Sequence, residues 1–175
     1  MAKKRKKIPK PEIVIENSTR IPKASLTKSN VRFDFIYQNW LRSFSDRKFT
    51  TFLPSESLYA EHITYIFYTL IPNVSKDWEV GKRGGVWKHC HSVNDDKALR
   101  KYNAAIKNIH GIDPEQLNIW QLGINGSVRL ICHISPDNEI YPLLVDYHHL
   151  GYESVKHNSQ DTENYRFCPI ETYIK

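Results

Sequence analysis

No stretch of this chain approaches the roughly 18–20 consecutive apolar residues of a membrane span, and its start carries no apolar run of the signal-peptide kind. A soluble protein of the cytoplasm with no membrane partner is expected. Cysteine is scarce: Cys90, Cys132 and Cys168 are odd in number and lack CxxC spacing. A disulfide framework is not expected, and reduced thiols fit an intracellular protein. There is no internal repeat, no Walker-type or dinucleotide glycine pattern and no HExxH, so the signatures of those nucleotide folds and of zincins are missing. Acid is missing from the beginning of the chain. Met1 to Pro11 carries Lys3, Lys4, Arg5, Lys6, Lys7 and Lys10, with no carboxylate before Glu12.

What is present is enough for a core. The 175 residues, 40% of them hydrophobic, are sufficient for one domain and a tail. Residues 1–30, basic and interrupted by Pro9, Pro11 and Pro22, read as an unfolded arm, and 31–175 as a single α+β domain. A net charge of +6 and a pI near 9.2 favour polyanionic partners, because cations that neutralise phosphates release counterions.

Periodicity supplies the elements. "FDFIYQNWLRSF" places Phe33, Ile36, Tyr37, Trp40, Leu41 and Phe44 on one helical face. A second helix is expected after Pro54, capped by Ser55 and ended by Pro72. A loop around Gly84 and Gly85 leads to a short strand in "KHCHSV". The strongest helix starts at the Asn and Asp residues 94–96, buries Leu99, Tyr102, Ala105, Ile106 and Ile109, and stops at Gly111. Three antiparallel strands follow: "LNIWQLGI", "SVRLICHI" and "IYPLLVDY". The tail end, "YRFCPIETYI", is expected to return as a strand or an irregular cover.

If Asn125-Gly126 is a two-residue turn, Leu122 faces Arg129 and Trp120 faces Ile131. Ile119, Gln121, Val128, Leu130, Cys132 and Ile134 then share one face, which the helices would cover; Trp120, Leu122, Arg129, Ile131 and His133 share the other. An open concave face with Arg129 and His133 on it has the shape to cradle single-stranded RNA.

The order helix, helix, meander, with "VRLIC" supplying Arg129 and "DYHHLGY" supplying His148, His149 and Tyr152, resembles the RelE/ParE toxin superfamily over residues 95–152. The resemblance implies helices on one face of a small twisted antiparallel sheet, cleavage of mRNA, and a small antitoxin partner covering the sheet. The chain departs from it in its long N-terminal arm, in an extra amphipathic segment, and in His149 standing where Arg is usual. Gln121 and Asn125 replace the Lys and Arg of ribosome-dependent members, which puts dependence on the ribosome in doubt.

Metal-free RNA cleavage needs a base for the 2'-OH, a cation for the phosphorane and an acid for the leaving 5'-oxygen. Histidine titrates in the right range and arginine is a permanent phosphate clamp. Arg129 is assigned to the phosphate, His148 or His149 to base or acid, Tyr152 to the partner role or to positioning, and Asp146 to orienting a histidine. Neighbouring strand residues face opposite ways, so both histidines reach one site only if the strand has ended. Lys82, Arg83, Trp87, Lys88, His133 and Gln121 are the candidate RNA contacts, Trp87 by stacking a base. Each has a structural alternative: Arg129 can pair with Asp146 or Glu139, and His148 and His149 can cap a loop. His89 to His91 with Cys132 and His133 hold donors for zinc, but no spacing matches a ligand frame, so no metal or cofactor is expected. The expected activity is a metal-independent endoribonuclease of the toxin type leaving a 2',3'-cyclic or 3'-phosphate. The alternative is a non-catalytic nucleic-acid- or protein-binding module of a phage or mobile element.

Overall fold

Alternating apolar residues in the second half of the chain build a five-stranded mixed sheet in this computed structural model, which describes residues 31–152 and 161–174. The basic arm expected over residues 1–30 lies outside the described residues. The strands of the sheet are β1 (Arg32–Phe33), β4 (His91–Ser92), β5 (Ile119–Leu122), β6 (Arg129–Ile134) and β7 (Glu139–Asp146). Their order is β1-β7-β6-β5-β4, while β2 (Ser45–Asp46) and β3 (Phe49–Thr50) form a separate hairpin. The helices are α1 (Glu56–Tyr65), α2 (Ile71–Asp77), α3 (Asp96–His110) and α4 (Pro169–Tyr173). The class is α+β.

The meander is as expected, but its register is displaced by one residue. Leu122 pairs with Leu130 and Trp120 with Cys132, so the connection spans more than the Asn-Gly pair. A one-residue slip exchanges the faces of a whole strand. Trp120 and Leu122 therefore join Leu130, Cys132 and Ile134 in one core, and Ile119 joins Ile131 in the other. In β7 a bulge at Leu143 shifts the pairing, since Ile131 faces Leu144 while Cys132 faces Pro142. His110 Nε2 donates to the carbonyl of that bulged Leu143 at 2.7 Å.

Helices cover both faces of the sheet, not one, and β1 adds to β7 in parallel, so the sheet is not purely antiparallel. Ile66, Leu70, Val74 and Trp78 pack on the Trp120 side. Ala98, Tyr102, Ala105, Ile106 and Ile109 of α3 pack on the Ile119 side. The reason lies in the helices themselves: α3 and the run from Ile66 to Trp78 each bury an apolar stripe, and the exchanged faces of β5 leave both sides of the sheet rich in apolar residues. The open face expected for RNA is therefore absent at Arg129, which is only 2% exposed.

The helix anticipated over residues 33–44 does not form. Phe33 extends β1, Asp34 Oδ1 accepts from Ile36 N in a turn, and only a 3-10 turn, Gln38–Leu41, remains helical. Ser55 caps α1 as expected, its Oγ accepting from Leu58 N. Pro72 does not end that helix. Proline lacks an N–H and crowds the carbonyl of the preceding turn; the backbone widens into a π turn, Ile66–Leu70, with Ile71 N donating to Ile66 O, and runs on to Asp77. Helix α3 keeps its expected bounds, capped by Asp95 and closed by Gly111 at φ 68°. The C-terminal stretch bridges Phe167 to Leu53 and then forms α4. Among the described residues no helix is long and apolar enough to cross a membrane.

Candidate active site at the end of the sheet

The polar residues of β6 and β7 divide into an interior network and a rim. Arg129 and Asp146 are register partners, and both are buried. The Asp146 carboxylate accepts from Tyr102 OH at 3.0 Å and from the backbone N–H groups of His148, Leu150 and Gly151 at 3.3, 3.0 and 2.8 Å. It thus ties the loop after β7 to α3 and does not orient a histidine ring. Arg129 Nη1 donates to Gly126 O and Val128 O, each at 2.9 Å, and passes so close to Gly123 that a Cβ there would lie 2.9 Å from Arg129 Cδ. Burial lowers its pKa, opposed by the nearby Asp146 charge. This guanidinium closes the β5–β6 turn; it is not presented to a substrate.

The loop after β7 sends its two histidines to opposite sides. His148 is buried, its Nε2 donates to Phe52 O at 2.8 Å, and its ring lies 5.3 Å from that of Tyr165. Since a carbonyl only accepts, Nε2 carries a proton, and burial lowers the pKa of the ring. His148 is a brace, not a base. His149, held at φ 59°, turns the other way and places its ring 6.0 Å from that of Tyr152.

Tyr152 in turn lies 6.0 Å from the ring of His91, whose position in β4 is opposite Gln121. His89, two residues before His91, completes the rim. Its pKa is lowered to about 4 by burial and then by the charges of Arg129, Lys88, His149 and His91. Burial and the Asp95 charge raise the pKa of Tyr152. The rim thus brings a neutral imidazole, a protonated phenol and two further imidazoles into one neighbourhood, with Arg129 behind them. Two buried atoms beneath it, Arg129 Nε and Gln121 Oε1, have no hydrogen-bond partner among the described residues. A water can satisfy such groups.

Of the residues expected from sequence, His149 and Tyr152 remain at this rim; Arg129 lies beneath it, and His148 and Asp146 are structural. Gln121 is buried, its Nε2 donating to His89 O, and cannot reach RNA directly. Trp87 is 7% exposed and packed in the core, so it cannot stack a base. Lys82, Arg83 and Lys88 are exposed, while His133 is half-buried against Tyr141 and away from the rim's rings. His89 and His91, which the sequence offers only as zinc donors, stand instead among the rings of the rim. Among the described residues no three His, Cys, Asp or Glu side chains converge to hold a metal ion. The sequence His-Cys-His was the available signal: Cys90 is buried, and the histidine on either side of it is half-buried.

A family described as "Uncharacterised protein UU032" matches residues 36–175. The chain belongs to the UU032 family. A relative, protein UU032 of Ureaplasma parvum serovar 3, is 36% identical over 170 residues, which cover 91% of this chain and 95% of the relative. The UU032 match takes in the whole rim, from His89 to Tyr152. No solved structure matches.

Proposed function

We propose that this protein is a metal-independent endoribonuclease of single-stranded RNA, of the toxin type, working in the cytoplasm and held in check by a small antitoxin. The observation that carries the reading is the convergence of His89, His91, His149 and Tyr152 at one end of the sheet. His89, neutral at physiological pH, takes the 2'-OH proton. Tyr152, which keeps its proton, gives it to the departing 5'-oxygen. Lys88 supplies charge, and the rings of His91 and His149 supply hydrogen bonds, to the phosphorane. The products are a 2',3'-cyclic phosphate and a 5'-hydroxyl. The resemblance to RelE/ParE toxins supports the substrate class, while the burial of Arg129 requires a different phosphate clamp.

The test is incubation with end-labelled single-stranded RNA in EDTA, with and without ribosomes, beside His89→Gln and His149→Gln. Cleavage by the parent, reduced about 100-fold or more in either variant, is expected. Intact RNA in every lane overturns the reading. It would favour a non-catalytic RNA-binding module, for which Arg129's commitment to backbone carbonyls is the supporting observation.

A further inference from the structure

On the other side of the loop that separates the two histidines, a cleft of about 920 Å³ opens between the β2–β3 hairpin, α3 and the segment 161–166. Its volume is that of a small-ligand site. We propose that this cleft binds one nucleoside monophosphate, either free or as a unit of single-stranded RNA. The proposal goes beyond the cleavage reading, since binding here needs no chemistry at the rim.

Three properties of the lining point to this ligand. Phe52, Leu150 and Tyr165 offer an apolar, largely aromatic wall for a base. Arg47, Lys48, Lys101 and Arg166 outnumber the carboxylates of Asp161 and Glu163, which favours an anion. Ser45, Thr50 and Thr162 add hydroxyls suited to ribose and base edges. The wall is also pre-arranged. His148 holds Phe52 through its carbonyl and contacts Tyr165 from behind, and Lys101 Nζ is fixed by donating to Leu150 O and Gly151 O at 2.7 and 3.2 Å. Arg47 and Lys48 form the two-residue tip of the hairpin, with Arg47 in the left-handed conformation at φ 54°, where glycine or asparagine is usual. That turn chemistry gives up local comfort and sets two exposed cations at the mouth.

Calorimetric titration of the full chain with AMP, UMP, GMP and CMP, and separately with inorganic phosphate and with a short single-stranded RNA, tests the proposal. Saturable binding of at least one mononucleotide is expected, weakened tenfold or more by Arg47→Glu/Lys48→Glu. Tyr165→Ala should weaken the nucleotide but leave inorganic phosphate unchanged. Binding of RNA but of no mononucleotide, with the same sensitivity to both variants, assigns the source to RNA and supports the site. No binding of any probe, or binding indifferent to both variants, overturns it. Because these titrations need no turnover, an inactive but nucleotide-binding protein separates failure of the cleavage reading from failure of this one.

Discussion

The interior network and the rim use the same kinds of side chain within a few residues of each other, yet differ in how their polar atoms are satisfied. Asp146 accepts four hydrogen bonds and has no exposure. His149 and Tyr152, three to six residues later, are half-buried, and Tyr152 meets both the His149 ring and that of His91 in β4. A saturated buried carboxylate holds a fold, whereas a group of partly exposed rings can exchange protons with a ligand. Polar residues at a strand end are thus poor evidence of a site until their partners are known.

The sharpest way to break this contrast is Asp146→Ala. It leaves Tyr102 OH and three backbone N–H groups without their acceptor and Arg129 without the facing charge, and should destabilise by about 3–5 kcal/mol in urea unfolding. A loss under about 1 kcal/mol would mean that Asp146 is not structural. Gly151→Ala acts on the same network from the backbone side. An added Cβ would collide with the Tyr102 hydroxyl, which lies 1.8 Å from its ideal position, and about 1–3 kcal/mol should be lost.

A smaller and more discriminating effect comes from the adjacent histidines. His148→Ala strands the Phe52 carbonyl and should cost about 1–2 kcal/mol, while His149→Ala should cost less. Any RNA cleavage should respond in the reverse order, His149→Ala being the more damaging. Equal effects on both measurements would erase the distinction between the two sides of the loop.

The smallest effect is a pH slope. Burial lowers the pKa of His62, His110 and His148, and of His89 together with the surrounding cations. In the unfolded chain these rings take protons near pH 6.5, before the folded chain does, so protons favour unfolding. Stability should be full above that pH and decline as pH falls toward 4, which melting temperatures at pH 7.5 and 5.0 would record; His148→Gln should flatten the slope. Cleavage should keep its base down to about pH 4, so an acid limb near 6.5 would remove His89 from that role.

Much of the fold was legible where one periodicity was unopposed. Helix α3 had caps at both ends and a full stripe, and the meander had turn residues and alternation. The register was not legible, because Asn125-Gly126 fits a two-residue turn while the chain uses a longer one, with Arg129 Nη1 bonded inside it. Residues 33–44 matched a helical stripe, but pairing with β7 and the Asp34 turn captured the backbone first. For the site, His149 and Tyr152 could be read from their place after the last strand. His89 and His91 could not, since the approach of His91 to Tyr152 depends on β4 docking beside β5, some 30 residues away in sequence.

The bulge and proline of β7 also bear on self-association. Strand β1 covers this edge of the sheet for only two residues, and further along β7 Pro142 has no N–H to offer and the carbonyl of Leu143 is already held by His110. A strand so interrupted is a poor template for edge-to-edge pairing. Growth of this sheet into a fibril, or exchange of strands between copies, would have to begin at β4, which is itself two residues long.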